Sequence, residues 1–238
     1  MKYFYDKDLG AVLIKRNSRA KKVIVRRKHS AVEMTVPTNL TKKEIKKHFD
    51  YLKPQILSLP VRKVIKITEA SKIKTFSFDV VVTHKSLHND KVQMSLEKSI
   101  LTIDVPAQYD LNDEYVQDAI KESLIYALRY EASRVLPEKV RSFAKKLNLE
   151  VNKIKINKSK SRWGSCSDDN NINLSLFLMM LPERLIDYVI LHELAHIIEM
   201  NHSPRFWEIL DAFCNGKAEE LNNESTYWDS DFLYWLKQ

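Results

Sequence analysis

Apolar and polar residues alternate with period two through much of the first half of the chain: Val23-Ile24-Val25, Val32-Glu33-Met34-Thr35-Val36, Phe76 to Val82, Val92 to Leu96 and Leu101 to Val105. Such alternation sets one side of an extended backbone against a core and the other in water, so these segments predict antiparallel strands. One helix interrupts them. Thr41 precedes Glu44 by three residues in a capping-box arrangement, and Ile45, Phe49 and Leu52 recur at helical spacing until Pro54. After Pro106 the period lengthens. Val116, Ile120, Leu124, Ala127, Leu128 and Ala132 mark one face of a long helix, and Pro137 opens a second through about Leu147. A basic strand, Ile154-Lys155-Ile156, then leads into the turn Arg162-Trp163-Gly164-Ser165-Cys166 and into Ile172 to Leu176, a small hairpin among helices. The expectation is an α+β protein with a boundary near 107–112: an antiparallel β-rich domain over 1–110 and a mainly helical domain over 111–238. No internal repeat is apparent.

Composition narrows the chemistry. The 238 residues are 44% hydrophobic and 29% charged, ordinary for a globular chain. Only three glycines occur, Gly10, Gly164 and Gly216, which excludes phosphate-binding loops built from several glycines in one turn. Two cysteines, Cys166 and Cys214, are too few for a disulfide framework and fit a reducing compartment. The first eight residues are charged where a secretory signal would be apolar, and no run of eighteen apolar residues exists, so a cytoplasmic protein with no membrane partner is expected. The net charge of +8 is unevenly spread: residues 1–110 hold 23 Lys and Arg against 11 Asp and Glu, and residues 111–238 hold 16 against 20. A basic first half can attract nucleic acid through its phosphates, or can be a solvated face.

The chemistry concentrates in one helix, opened by Pro182 and running through Ile186, Val189, Ile190, Leu194 and Ile197 to about Met200. It carries His192-Glu193-Leu194-Ala195-His196. Residues four apart lie one above the other on a helix, so both imidazoles can address one ion while Glu193, about 100° around, reaches water beside it. Roughly one chain in seventy of this composition would carry the spacing by accident. Catalytic zinc takes three protein ligands and leaves room for water. His202 is the third candidate: Asn201 can end the helix, Ser203-Pro204 reads as cap and first position of the next, and the intervening turn folds His202 back. Glu199, on the same stripe as His192, is the competing ligand.

Around this motif several residues carry two readings. Arg162, Trp163 and Ser165 either support the site or fix a turn. Tyr188, one turn before His192, either donates a hydrogen bond to a developing oxyanion or is a buried structural tyrosine. Ile172-Asn173-Leu174-Ser175 is the candidate cleft-edge strand for an extended substrate. Cys166 as a nucleophile is rejected, because that reading leaves the histidine and glutamate spacing unexplained. Trp228, Phe232, Leu233, Tyr234 and Trp235 are expected to pack into a core.

The run from Arg162-Trp163-Gly164-Ser165-Cys166 through Ile172-Asn173-Leu174, Asp187 to Leu191, His192-Glu193-Leu194-Ala195-His196 and Asn201-His202-Ser203-Pro204-Arg205-Phe206-Trp207 resembles the YgjP-like metallopeptidases, distant relatives of the SprT-like and WLM metalloproteases. The resemblance is strong over about 155–207. It implies a zincin-like helical domain with an active-site hairpin, Zn2+ as cofactor, His192, His196 and His202 as its ligands, Glu193 as catalytic acid/base, and a peptide or protein as substrate. Two further readings stand beside it. One is a nucleic-acid-associated protein recruited through the basic half; the other is a binding module in which a fourth ligand makes the metal structural.

Overall fold

A computed structural model describes residues 3–27, 31–58, 65–228 and 231–237. The chain divides into two compact units, Met1–Ile65 and Lys66–Gln238. The expected division near 107–112 thus falls inside the second unit, because the second group of strands belongs with the helices that follow it.

In the first unit β1 (Tyr3–Asp6), β2 (Gly10–Arg16), β3 (Ile24–Arg27) and β4 (Ala31–Val36) form a sheet of order β1-β2-β4-β3. β2 and β4 run parallel, while the outer pairs are antiparallel. The all-antiparallel expectation is therefore corrected: β3 returns on the far side of β4, which leaves β4 pointing the same way as β2. Val12, Val32, Met34 and Val36 face α1 (Lys42–Ser58), whose Ile45, Phe49 and Ile56 complete the core. The capping box forms as its spacing predicts. The Thr41 backbone N–H donates to Glu44 Oε2 at 2.7 Å, and the Glu44 N–H donates to Thr41 Oγ1 at 3.3 Å. α1 continues through Pro54 to Ser58, since burial of Ile56 extends its apolar face beyond the missing donor.

The second unit opens with the same arrangement. β5 (Ile73–Lys74), β6 (Asp79–Lys85), β7 (Gln93–Glu97) and β8 (Ile100–Pro106) take the order β5-β6-β8-β7, again with a parallel central pair and antiparallel outer pairs. Each sheet ends in Val-Pro, Val36-Pro37 and Val105-Pro106, and each is followed by a helix. An internal repeat of topology is therefore present that side-chain identity conceals. The helix here is α2 (Glu114–Lys146), a single element where two were expected. Pro137 leaves one carbonyl without its helical donor, but Leu128, Ala132, Leu136, Val140 and Ala144 bury an unbroken stripe across it. Gln117 ties the preceding segment to α2, accepting from the Ile67 N–H and donating to the Ile67 carbonyl, both at 2.8 Å.

A third sheet joins β9 (Lys153–Asn157), β10 (Gly164–Cys166) and β11 (Asn171–Ser175) in the order β10-β11-β9. The expected hairpin is its β10–β11 part; β9 adds a parallel strand on the other side. Then follow α3 (Glu183–Ala195), α4 (Pro204–Phe213), α5 (Ala218–Tyr227) and α6 (Asp231–Lys237). Lys139 of α2 holds the start of α3, with Nζ 2.6 Å from Glu183 and 2.7 Å from Asp187. The aromatic tail packs only in part: of the residues expected in a core Leu233 is buried, while Trp228, Phe232, Tyr234 and Trp235 are half-buried, with Phe232 stacked on Trp235.

Thr41→Ala removes the reciprocal cap of α1 and should lower the stability of the protein by about 1 kcal/mol. Phe49→Ala opens a cavity in the same unit and should cost about 3–5 kcal/mol. Denaturant midpoints of the two variants check this, and a cap effect as large as the cavity effect would contradict it.

Candidate active site

α3 is apolar on nearly every side. Leu185, Ile186, Val189, Ile190, Leu191 and Leu194 are all buried, so the helix passes through the unit as a rigid rod. It ends sooner than its apolar periodicity predicts, at Ala195, with His196 as the capping residue. The Ile197 N–H bonds back to Leu194 and the Ile198 N–H to Ala195, at 3.1 and 3.0 Å, a tightened turn that leads the chain away from the helix axis. Ser203 then caps α4, its Oγ accepting from the Phe206 N–H at 3.3 Å, with Pro204 in the first helical position. Two helix ends thus face each other across a short turn that carries His202.

This turn brings His192, His196 and His202 together, with ligand-capable atoms all within 4.8 Å of one another. The Nε2 atoms of His192 and His202 lie 3.1 Å apart. His196 Nδ1 lies 3.2 Å from the Glu199 carbonyl, and as the donor of that bond it leaves Nε2 with a free lone pair for an ion. Phe206 is the common platform: its ring centroid is 5.0 Å from that of His192, 4.5 Å from His196 and 4.8 Å from His202. Burial pushes the His192 imidazolium down to about 3, helped by the neighbouring imidazoles, and lowers that of His196 as well. Neutral imidazoles with converging lone pairs are what a borderline-soft divalent cation requires. Among the described residues no fourth carboxylate or thiol joins this group.

Glu193, one residue around the helix, is only 5% exposed. Burial pushes its carboxyl up to about 8, against the opposing effects of the Arg162 charge and a hydrogen bond from the Cys166 backbone. It lies directly beneath β10. A Cβ built on Gly164 would stand 2.5 Å from Glu193 Oε1 and 2.7 Å from its Cγ, so only glycine lets the strand pass this close. Beside Glu193 is a cavity of about 250 Å³, walled by α3, by the Arg162-Trp163-Gly164 segment and by α5.

Comparison with known proteins decides the family. A family model described as YgjP-like, metallopeptidase domain matches residues 21–224. The chain belongs to the YgjP-like metallopeptidases. It is accordingly a zinc metallopeptidase, a hydrolase of peptide bonds. Two solved structures are similar over part of the chain. The metallopeptidase zymogen abylysin of Pyrococcus abyssi is 21% identical with a TM-score of 0.35, covering 39% of this chain and 95% of its own. The zymogen jannalysin of Methanocaldococcus jannaschii is 27% identical with a TM-score of 0.34, covering 37% and 91%. No curated protein matches in sequence.

Within this YgjP-like site several expectations change. β11 is the central strand of its sheet, so Ile172 to Ser175 is not an edge; β10, which lies beside α3, is one. Glu199 turns its carboxylate to the Asn201 N–H at 3.4 Å and serves His196 through its backbone, outside the histidine group. The Tyr188 hydroxyl is engaged with Asn222 Oδ1 at 3.0 Å, the structural alternative for that residue. Burial pushes the Cys166 thiol up to about 11, with the charges of Glu193 and Asp168 adding to the effect, which disfavours a thiolate nucleophile. Sequence reasoning missed the α5 wall, Asn222, Ser225 and Thr226, whose i, i+3, i+4 spacing was its sole signal. It also gave Phe206 no role beyond its place in the motif.

Gly164→Ala in this YgjP-like enzyme should displace Glu193 and reduce hydrolysis by about a hundredfold while zinc content, read by elemental analysis, stays near wild type. Metal-free protein at pH 8 should alkylate with iodoacetamide about a hundredfold more slowly than an unburied thiol, since burial also pushes Cys214 up to about 11. Both raised values shrink the thiolate fraction. Cys166→Ser should retain activity.

Proposed function

We propose that His192, His196 and His202 hold the zinc ion and that Glu193 is the general base and then the general acid of peptide-bond hydrolysis by water. The observation that carries this reading is the convergence of three imidazoles within 4.8 Å, with a buried carboxylate on the next position of the same helix. Zinc bound there polarises a peptide carbonyl and lowers the pKa of water from about 15.7 towards 7.

The remaining work belongs to the protein. Burial raises the proton affinity of Glu193, so once ionised its carboxylate can accept a proton from attacking water and, as the acid, return it to the leaving amine. Phe206 packs against all three imidazoles, including that of His202 on the exposed turn before α4. β10 pairs with β11 on one side only, and its outer edge offers main-chain donors and acceptors to an extended substrate, a mode that tolerates many side chains. The free thiols of Cys166 and Cys214 support residence in the cytoplasm.

A second reading concerns recruitment. Residues 1–65 hold 17 Lys and Arg against 5 Asp and Glu, while residues 66–238 hold 22 against 26, so the whole basic excess lies in the first unit. That concentration supports nucleic acid as an accessory partner. Affinity for an oligonucleotide should then fall steeply between about 50 and 200 mM salt, and salt-independent binding would contradict phosphate contacts.

Glu193→Gln should keep its zinc and lose hydrolysis by at least about a hundredfold. His202→Ala should lose zinc as well. Elemental analysis paired with digestion of a peptide library reads both, and undiminished cleavage by Glu193→Gln would remove the mechanism.

A further inference from the structure

The cavity beside Glu193 has walls whose polar groups are largely engaged with one another. The Tyr188 hydroxyl donates to Asn222, and the Trp163 indole N–H donates to the Ser225 carbonyl at 3.4 Å. Trp163 is further held from behind, with Lys237 Nζ 3.9 Å from its ring centroid. Arg162 is the charged side chain of this wall that is not so engaged. Its guanidinium lines the cavity, is exposed, and makes no hydrogen bond or ion pair with any described residue, although its charge is felt at Glu193.

Its setting reinforces the point. The segment from Lys158 to Arg162 carries three cations in five residues, within a unit that is acidic as a whole. Lys158 pairs with Glu122 at 3.5 Å, and Lys160 is also engaged. Among these three cations Arg162 alone has no hydrogen bond or ion pair with a described residue, and it lines the same cavity as Glu193. A planar guanidinium with free donors binds carboxylates through two parallel hydrogen bonds. The cavity has room for one side chain or one terminal residue, not for a longer segment.

We propose that this cavity is a substrate subsite selecting a carboxylate next to the scissile bond, with Arg162 as the residue that reads it. The inference rests on the peptidase reading above and adds to it the class of substrate: peptides with an acidic side chain flanking the cleaved bond, or with their C-terminal carboxylate there. Both sources offer the same group to Arg162. They differ in whether the enzyme cuts within a chain or trims its end.

The test uses the full-length zinc-loaded protein and matched fluorogenic peptides. One set carries Glu, Gln or Lys at each position flanking the scissile bond, with the C-terminus amidated. The other set ends one residue beyond the bond, as free acid or amide. Wild type, Arg162→Ala, Arg162→Lys and Arg162→Glu are compared by kcat/KM, and binding of the same peptides to zinc-loaded Glu193→Gln and to its double variant with Arg162→Ala is measured by calorimetry. A carboxylate should be favoured over its amide at least about tenfold in wild type. That preference should collapse in Arg162→Ala, survive in part in Arg162→Lys, and turn towards Lys in Arg162→Glu.

An advantage for Glu in amidated peptides assigns the internal side chain, and one confined to free C-termini assigns end-trimming. Equal handling of carboxylate and amide by wild type, or a preference that survives Arg162→Ala, overturns the subsite. If no peptide is cleaved yet Arg162-dependent binding of carboxylates persists, the hydrolytic reading fails while the subsite stands.

Discussion

Three imidazoles meet in this protein around one ring, that of Phe206. The ring is fully buried, stacks on His196 and meets the edges of His192 and His202. Phe206 reaches that position because α3 stops at Ala195 and Ser203 restarts the chain as α4. The early helix end, the tight turn and the cap are one device: they fold a histidine that lies outside the first helix onto the two within it. Burial by the same ring and by α3 keeps His192 and His196 neutral, the form that can bind metal.

A second constraint operates at Gly164. The strand that could receive a substrate must pass close enough to Glu193 for carboxylate and substrate to meet, and any side chain at that position would occupy the space of the carboxylate. Close approach also removes water from Glu193, which raises its proton affinity. Steric fit and electrostatic tuning therefore have one cause, the contact between β10 and α3.

The rest of the second unit fixes these two elements. α2, continuous through Pro137, carries Lys139 to the first turn of α3. α5 closes the cavity from the other side, tied to α3 by the Arg184–Glu224 pair and by the Tyr188–Asn222 hydrogen bond. The cavity is assembled from a helix late in the chain and a loop in its middle, around a motif lying between them.

Period-two and helical spacing marked β3, β4, β6 to β8, α1, α2 and α3, because alternation and a 3.6-residue stripe are local consequences of burying one face, but they did not mark β1, β2 or α5. The His192-Glu193-His196 spacing likewise lay in the sequence, as did His202, since a cap signal of Ser203-Pro204 bends the chain locally. Strand direction did not. Whether β2 and β4, or β6 and β8, run parallel depends on where β3 and β7 insert, a choice made by non-local pairing. The matching topology of the two sheets is hidden for the same reason, and Pro137 looked like a helix start because its local penalty is visible while the buried stripe that outweighs it is tertiary. Only the folded chain placed β10 rather than β11 at an edge of the sheet, set Glu193 under Gly164, and brought Asn222 and Arg162 to one cavity, because these contacts join residues far apart in sequence that no local pattern links.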